Sequence, residues 1–320
     1  MNCFDPERIP AGVWLLFGPG RTRHTSPGLA RLVDTFEASF GDRCRVVSSH
    51  ELLMGVRGGR LVLEDLQRRP VCPPRVVHSR LSTPRLSADR ELTLLRQLEL
   101  MGSVLLNGVD AISAGVNKFW QLQQLAIAGL PVMDTHTYAD ARLSEVIDAG
   151  VPEPCVVKSV RGNNGLQVFL ARDAALLRDI HGSLREDSPY LFQEYLEYSH
   201  GRDLRVVVVD GRPVAAFESR ATDGGMSTYH PAGTYLPEQL LGVHPAAEAL
   251  SVRAAAALGL DVAGVDLLFC PDGGFVICEV NPNPGLHTSL DSIPAALVAA
   301  CAARLESAAF TPATQGETRP

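Results

Sequence analysis

Residues 264–285, with the sequence GVDLLFCPDGGFVICEVNPNPG, restrict the choice of fold more than any other part of the chain. Two apolar, β-type runs flank a Pro-Asp-Gly-Gly turn, which predicts a hairpin of antiparallel strands. Pairing across this hairpin places Asp266 near Glu279, and the two-residue period of a strand puts Glu279 and Asn281 on the same side. The three side chains are therefore expected to converge.

These three side chains offer the hard oxygen donors that Mg²⁺ or Mn²⁺ prefers, above all when the ion also contacts phosphate. Asp266 and Glu279 each lie inside an otherwise apolar run, and a buried carboxylate needs a partner such as a metal ion. An alternative stays open, in which both acids are solvated strand residues and Asn281 caps a turn beside Pro282 and Pro284.

Two lysines and a short glycine-bracketed loop further upstream suit the binding of phosphate. Lys158 ends the β-type run at residues 155–158, directly before a loop that contains Gly162 and Gly165, and Lys118 begins a predicted helix. A lysine on a strand supplies a compact charge, and such a loop can present backbone amides to phosphate oxygens. Surface lysines and an ordinary hairpin loop are the alternatives.

A second hairpin is predicted around the dipeptide Asp210-Gly211, which is a strong two-residue turn signal. Asp203 and Arg205 alternate by two and should share one face of its first strand. The returning strand is expected to bring Arg220 beside Arg205. Two guanidinium groups on one face suit bidentate binding of phosphate or carboxylate, and a salt-bridged surface ladder is the alternative.

The first hundred residues alternate short apolar runs with helical stretches, which is typical of a parallel sheet. The apolar run at residues 13–17 ends in Gly18-Pro-Gly20. This turn lacks the third glycine of a dinucleotide-binding fingerprint, and its proline stands where a phosphate-binding amide is needed. A plain turn at the end of a strand is therefore the better interpretation.

The chain has 320 residues, 36 acidic against 29 basic side chains and a net charge of -7. It has no long basic run, so we expect no nucleic-acid partner. No apolar run approaches the roughly 18 residues that a membrane span requires. The seven cysteines are never closer than eight residues apart, which excludes CxxC metal and redox pairs and indicates reduced thiols in the cytoplasm.

Taken in order, these motifs resemble those of ATP-grasp enzymes, and most closely the RimK-like branch of carboxylate-amine ligases, which attach glutamate or another amino acid to an amine. The resemblance covers about residues 107 to 295. It rests on Lys118, the strand of Lys158 with its glycine loop, Gln193-Glu-Tyr-Leu196, Arg202-Asp-Leu-Arg205, Arg220, Gly264-Val-Asp266 and Glu279-Val-Asn281-Pro-Asn-Pro-Gly285.

The fold that the resemblance implies is α/β, an ATP-grasp fold of α+β grasp domains preceded by an N-terminal Rossmann-like preATP-grasp lobe. The implied domains are residues 1–106 for this lobe, 107–190 for a central ATP-grasp subdomain with the glycine-rich loop, 191–310 for a C-terminal ATP-grasp subdomain with the metal site, and 311–320 for a disordered tail.

The resemblance also implies a role for each matched residue. The implied nucleotide-binding residues are Lys118, Lys158, Gly162 and Gly165 for the phosphates, Glu194, Tyr195 and Leu196 for adenine, and Asp203 for the ribose. The implied catalytic residues are Arg220 and Arg205, which would stabilise the γ-phosphate and an acyl phosphate. The implied ligands of Mg²⁺ or Mn²⁺, with two ions expected, are Asp266, Glu279 and Asn281.

The implied activity is ATP-dependent formation of an amide or peptide bond through an acyl phosphate. Its partners would be an amino acid and an amine- or carboxylate-bearing acceptor, which could be a small molecule, a peptide or a carrier protein; a homo-oligomer is also compatible with the family. A small-molecule kinase and a non-catalytic ATP-binding regulatory protein remain the alternatives. Residues 227–234 depart from the family pattern, since Ser227, Tyr229 and Ala232 replace its usual Arg, Asn and Arg, so the acceptor and the amino acid stay open.

Overall fold

The computed structural model describes residues 12–81, 89–161, 168–181, 184, 189–221, 225, 239–286 and 291–307. The chain divides into two compact units. The first unit comprises residues 1–113, 260–262 and 285–320, and the second comprises residues 114–259 and 263–284. The boundaries expected from the sequence at residues 106, 190 and 310 stay predictions, and the expected tail lies outside the described residues.

The secondary-structure elements are numbered in chain order. The strands are β1 (Val13–Phe17), β2 (Cys44–Ser48), β3 (Leu52–Arg57), β4 (Arg60–Asp65), β5 (Val76–Arg80), β6 (Val104–Leu106), β7 (Thr135–His136), β8 (Cys155–Ser159), β9 (Val168–Ala171), β10 (Tyr190–Glu194), β11 (Arg202–Val209), β12 (Arg212–Arg220), β13 (Val262–Phe269) and β14 (Phe275–Asn281). The helices are α1 (Pro27–Phe40), α2 (Asp89–Leu100), α3 (Val109–Val116), α4 (Lys118–Ile127), α5 (Leu143–Ala149), α6 (Ala174–His181), α7 (Pro245–Ala257) and α8 (Ser292–Glu306).

The first unit contains the predicted parallel sheet, with the strand order β2-β1-β5-β6. All five residues of β1 are buried, as expected for a central strand with both faces covered. Helix α1 begins after Ser26, whose hydroxyl accepts a hydrogen bond from the amide of Leu29, and it contacts α8. The predicted parallel sheet is confirmed, whereas the expected alternation fails between β2 and β5, where the strands β3 and β4 follow one another without an intervening α-helix.

One element of the first unit was not predicted from the sequence. β3 and β4 form an antiparallel hairpin through Gly58 and Gly59, which have φ values of +57° and +73°. Two consecutive residues with positive φ are typical of a type I′ turn. The two strands are half-buried or exposed over most of their length, so they lack the apolar alternation on which a strand prediction depends.

The second unit contains two antiparallel sheets. The first has the strand order β7-β10-β8-β9, and its β8–β9 pair is the hairpin predicted around the glycine loop, although residues 162–167 of that loop lie outside the described residues. Helices α5 and α6 supply part of its core. The buried residues of this core are Leu143, Ile147, Cys155, Val157, Ala171, Leu177, Leu184, Tyr190 and Phe192.

The other sheet of the second unit has the strand order β12-β11-β13-β14. The predicted turn between β11 and β12 is confirmed, with φ values of +52° at Asp210 and +71° at Gly211. The predicted antiparallel pairing of β13 with β14 is also confirmed. Helix α7 contacts β11, β12 and β14, so it covers one side of this sheet.

The cysteines differ in part from the expectation of reduced thiols. Cys72 is disulfide-bonded, so that expectation is wrong at this position, because the spacing of cysteines along a chain does not show which of them meet in space. Cys44, Cys155, Cys270 and Cys278 are free thiols, as is Cys301. Among the described helices, none combines the length and the apolar character that are needed to cross a membrane.

Candidate functional site

The β13–β14 hairpin brings the three predicted metal ligands together. Asp266 pairs directly with Glu279, and Gly264 pairs with Asn281, two steps further along the ladder. The Nδ2 atom of Asn281 donates a hydrogen bond to Oδ2 of Asp266 over 3.2 Å. The predicted convergence of these side chains is therefore confirmed, whereas their binding of a metal ion stays a prediction.

A close approach of two backbone segments holds this end of the hairpin in place. A Cβ atom on Gly264 would lie 2.7 Å from Cβ of Pro284, and one on Gly115 would lie 3.1 Å from Cγ of Pro282. Both distances are shorter than ordinary van der Waals contact, so a side chain at Gly264 would force Pro284 to shift, and one at Gly115 would press on Pro282. The Asn-Pro-Asn-Pro segment is thereby fixed against β13 and α3.

Each of the two carboxylates is paired with a cation from another element. Lys118 Nζ lies 2.9 Å from Oε1 of Glu279, and Arg205 contacts both oxygens of Asp266, with distances of 2.5 Å from Nε and from Nη2. The second contact is bidentate, which is the strongest arrangement of guanidinium and carboxylate. These four side chains are between 11% and 24% exposed, so water screens the pairs only in part.

The start of α4 positions Lys118. The side chain of Asn117 caps this helix, since its Oδ1 atom accepts hydrogen bonds from the amides of Phe119 and Trp120. One turn later Gln121 accepts a hydrogen bond from the amide of Val280 over 2.9 Å, which joins α4 to β14 beside Glu279. Sequence reasoning missed Asn117 and Gln121, although a capping asparagine before a helix is a recognisable signal.

Lys158 lies on β8 and is buried. Its Nζ atom donates to Oε1 of Gln193 over 2.9 Å, and Nε2 of Gln193 donates to Oγ1 of Thr135 over 2.9 Å. The sequence analysis gave no role to Gln193, yet it is a polar residue within a buried strand, and buried polar groups need partners. The arrangement holds the amine of Lys158 in one position.

The chain uses lysine at these two positions and nowhere else. Of its 29 lysine and arginine residues, only Lys118 and Lys158 are lysines. Both are buried, whereas lysine is usually found at the surface. The sequence alone carries this signal, and it separates these two residues from every other cation of the chain.

The pKa values of the two acids reflect their surroundings. Burial alone would raise the pKa of Glu279, but the positive charges of Lys118, Lys158 and Arg205 hold it below its ordinary value. Burial raises the pKa of Asp266, against the opposing charge and hydrogen bonds of Arg205. Glu279 is therefore ionised at neutral pH, and the neighbouring cations stabilise this ionised form.

The segment predicted to contact adenine, residues 194–196, begins at the last residue of β10. Glu194 is the last residue of that strand, and its amide donates to the carbonyl oxygen of Asp134 over 2.9 Å. The amide of Tyr195 donates to the carbonyl oxygen of Pro154 over 3.3 Å, and Leu196 precedes a short 3-10 helix.

The structure contradicts the predicted placement of Arg220. In the β11–β12 ladder Arg220 pairs with Arg202, whereas Arg205 pairs with Phe217. Residues 202 and 205 differ by an odd number, so Arg205 and Arg220 lie on opposite faces of the sheet. Arg220 is instead ion-paired with Glu218 at 2.7 Å and is about half exposed. The catalytic role that the resemblance implies for Arg220 stays a prediction.

The remaining predicted residues fall into two groups. Asp203 lies two residues before Arg205 on β11, where it pairs with Ser219, so the predicted common face of Asp203 and Arg205 is confirmed. Gly162, Gly165 and the divergent segment at residues 227–234 lie outside the described residues. The described part of the site is thus formed by β8, β10, β11, β13, β14 and the first turn of α4, all of them within the second unit.

The fold agrees with comparisons to known proteins. A sequence model described as a RimK-like ATP-grasp domain matches residues 115–300. N-acetylaspartylglutamate synthase A of Homo sapiens is 40% identical over 251 residues, which are 76% of this chain and 62% of that protein. Beta-citrylglutamate synthase B of Homo sapiens is 40% identical over 244 residues, which are 75% of this chain and 63% of that protein. The chain thus spans less than two thirds of the length of these curated relatives.

A solved structure shows the same fold. It is the ATP-grasp ligase PsnB in complex with a minimal precursor, Mg and ADP, and it matches with a TM-score of 0.63 and 20% sequence identity. The alignment covers 93% of this chain and 99% of the PsnB chain. At this level of identity the comparison speaks to the fold alone, and the predicted ATP-grasp fold is confirmed.

Proposed function

Because the chain belongs to the RimK-like ATP-grasp family, we propose that it is an ATP-dependent carboxylate-amine ligase that forms an amide bond through an acyl phosphate. The observation that carries this proposal is the cluster of Lys118, Arg205, Asp266 and Glu279, in which two partly buried acids meet two cations. Phosphoryl transfer needs positioning and neutralisation of charge, and these are the groups that supply both.

Lys118 and Lys158 would bind the phosphates of ATP. Each already holds a hydrogen bond to an oxygen of a neighbouring side chain, so its amine is oriented before a phosphate arrives. The amides of Glu194 and Tyr195 are engaged by carbonyl oxygens of the protein. We therefore assign recognition of the adenine edge to the amide of Leu196 and to the carbonyl groups of this segment.

The donor set of the hairpin fits a hard divalent cation. Asp266, Glu279 and Asn281 supply carboxylate and amide oxygens, and no soft ligand other than the protonated Cys278 lies on this stretch of β14. These residues would hold Mg²⁺ or Mn²⁺, and two ions are part of the proposal. The metal would neutralise charge on the phosphates and polarise the transferred group.

In the proposed reaction a carboxylate oxygen of the first substrate attacks the γ-phosphorus of ATP, and the bond to the bridging oxygen breaks with release of ADP. The nitrogen of the second substrate then attacks the acyl carbon, loses a proton and displaces phosphate. Arg205 would stabilise the charge that develops on the transferred phosphoryl group. Lys118 and Lys158 would hold the nucleotide in line with the attacking oxygen.

The substrates are proposed by class. The names of both curated relatives describe products in which glutamate is joined to a carboxylic acid, N-acetylaspartate in one and citrate in the other. We propose an amino acid as the amine and a carboxylic acid as the group that ATP activates. The acid could be free or part of a peptide or a carrier protein.

The test of this proposal is release of ADP and phosphate from Mg-ATP with each amino acid and each of a panel of carboxylic acids, alone and in pairs. We expect turnover that requires both substrates, together with a product whose mass equals the sum of the two minus water. A phosphorylated product without an amide would identify a kinase and overturn the ligase proposal. Nucleotide binding without turnover, even with peptide and carrier-protein acceptors, would indicate a regulatory protein.

Replacement of Lys158 by arginine should impair the enzyme although it preserves the charge. The buried amine has one fixed partner, Gln193, and a planar guanidinium fork cannot take its place. We expect the KM for ATP to rise about 10- to 100-fold, as for loss of a charged hydrogen bond. Steady-state kinetics at saturating acid and amine would measure it.

The matched control exchanges the same two residue types elsewhere in the second unit. Arg178→Lys lies on α6 at an exposed ion pair with Asp148, so it should leave the KM for ATP unchanged. An unchanged KM in Lys158→Arg would show that Lys158 does not contact the nucleotide.

A further inference from the structure

The hairpin of β3 and β4 forms a separate two-stranded sheet in the first unit. The chain that follows β4 covers the outer edge of that strand. The amide of Asp65 donates to the carbonyl oxygen of Arg69, and the amide of Val71 donates to the carbonyl oxygen of Leu63, both over 2.9 Å. Strand β3 pairs with β4 alone within the described residues, so its outer edge is open there.

The register of the hairpin shows which main-chain groups lie on the open edge. Arg57 and Arg60 flank the two-residue turn, and in such a hairpin these two residues exchange main-chain hydrogen bonds. Hydrogen-bonded and non-hydrogen-bonded pairs alternate along an antiparallel ladder. The amide and carbonyl groups of Leu52, Met54 and Val56 therefore point away from β4, and they form a row of donors and acceptors that another strand could pair with.

The side chains of β3 do not protect this edge. Residues 52–56 have the sequence Leu-Leu-Met-Gly-Val, without a charge or a proline, whereas natural edge strands commonly use lysine, proline or a bulge to prevent pairing with another chain. Met54 and Val56 lie on one face of the strand and are 39% and 72% exposed. By contrast β2, an edge strand of the parallel sheet, carries the exposed Arg45.

The charges beside the open edge fit a second copy of the same strand. Antiparallel pairing about a two-fold axis at Met54 places this residue opposite itself and Leu52 opposite Val56 of the second copy. The same register places Arg57 opposite Glu51 of the second copy, and the axis repeats this pair. Glu51 directly precedes β3 and is exposed. Opposite charges that face each other across a ladder are stabilising.

This charge match also selects the register. If the axis moved by one residue in either direction, Arg57 would lie opposite Ser49 or Leu53 of the second copy, and the ion pairs would be lost. The axis at Met54 is also the one that pairs the outward groups of Leu52 with those of Val56. Charge and main-chain geometry therefore favour the same arrangement.

We infer that β3 is a dimerisation strand, which pairs with β3 of a second copy of this chain and joins the two hairpins into one four-stranded sheet. The contact is isologous, since the same surface is used by both copies, and its affinity comes from strand addition through main-chain hydrogen bonds. A two-stranded sheet alone is only marginally stable, and further strands stabilise it. The inference concerns the first unit and does not depend on the proposed ligase activity.

Sedimentation of the full chain over a wide range of concentrations would test the pairing. We expect a monomer–dimer equilibrium in the native chain. Met54→Lys should raise the dissociation constant at least about 10-fold, because it places two ammonium groups opposite each other across the axis. A native chain that stays monomeric at every concentration would overturn the inference, as would a dimer that Met54→Lys leaves unchanged.

The matched control introduces the same lysine on the other edge strand. Val46 on β2 is an exposed apolar residue, and Val46→Lys should leave the dissociation constant unchanged. Both variants carry the new charge at the surface, and circular dichroism would show the same melting temperature for both. A dimer that is lost in Val46→Lys and kept in Met54→Lys would place the interface on β2 and contradict the role of β3.

A charge exchange tests the register. Glu51→Arg and Arg57→Glu should each weaken self-association about 5- to 30-fold, since each converts two attractive pairs into repulsive ones. Glu64, which Arg57 contacts within the hairpin, keeps its second partner Arg68 at 3.2 Å. In an equimolar mixture of the two variants every charge faces an opposite one, so we expect association close to that of the native chain. A mixture that associates no better than the separate variants would overturn the register.

Hydrogen exchange at single-residue resolution would locate the contact. The amides of Leu52, Met54 and Val56 should exchange more slowly as the native chain is concentrated, and should show no such change in Met54→Lys. The amides of Leu53 and Gly55 point towards β4 and should change little. Protection that rises with concentration at other strands, with none at β3, would show that the copies meet at a different surface.

Discussion

Glu279→Gln is expected to lower kcat for ATP turnover by about 100- to 1,000-fold, the effect of removing one charge-stabilising group from a reaction centre. The substitution keeps the shape of the side chain and removes its negative charge. Glu279 pairs with Lys118 and stands directly opposite Asp266 in the hairpin. The variant would therefore lose a proposed metal ligand, and Lys118, the proposed phosphate-binding lysine, would lose the charge of its partner. Release of ADP under saturating substrates measures the change.

The control for Glu279→Gln is Asp272→Asn in the turn of the same hairpin. Asp272 is exposed, and its Oδ1 atom accepts a hydrogen bond from the amide of Gly274, which asparagine can also accept. Asp272→Asn should keep full activity. If Glu279→Gln turned over within a factor of about three of the native rate, the loss would be far smaller than that expected for removal of a charge-stabilising group. That result would show that Glu279 does not belong to the reaction centre.

Arg205→Met is expected to lower the free energy of unfolding by about 3–5 kcal/mol, because it leaves a buried carboxylate without its partner. Asp266 is 15% exposed and receives both of its strong hydrogen bonds from Arg205. Methionine fills a similar volume, so the loss reports the charge and not a cavity. Urea unfolding followed by circular dichroism would measure it.

A double-mutant cycle separates the ion pair from packing. Removal of both charges in Arg205→Met/Asp266→Asn should recover most of the lost stability, because no buried charge is then unpaired. It should not recover ATP turnover, since both groups belong to the proposed reaction centre. Equal and additive losses from the two single substitutions would show that the pair contributes no coupling to stability.

The sequence predicted the elements that carry strong local signals. The Asp210-Gly211 turn, the β13–β14 hairpin and the parallel strands of the first unit all have the expected form. Each depends on a turn dipeptide or on an apolar run, whose physical cause is local. The β3–β4 hairpin was missed because its strands are largely exposed and carry no apolar face.

Side-chain partners depended on information that the sequence does not contain. The convergence of Asp266, Glu279 and Asn281 follows from pairing within one hairpin and was predictable. The face of Arg220 depends on the register of a nine-residue strand, where an error of one residue reverses the face. The pairs of Lys118 with Glu279 and of Arg205 with Asp266 join residues 161 and 61 positions apart, and no local pattern sets such contacts.

The ion pairs between predicted metal ligands and predicted phosphate ligands have a thermodynamic consequence. A divalent ion that binds Glu279 and Asp266 displaces Lys118 and Arg205 and leaves these two cations without counter-ions. A polyphosphate that binds the two cations likewise leaves the two acids without counter-ions. Each ligand thus supplies the charge that the other one displaces. Metal and nucleotide are expected to bind with positive coupling, and this coupling is reciprocal: the factor by which the metal raises nucleotide affinity equals the factor by which the nucleotide raises metal affinity. The site would in this way select the metal–nucleotide complex over either component alone.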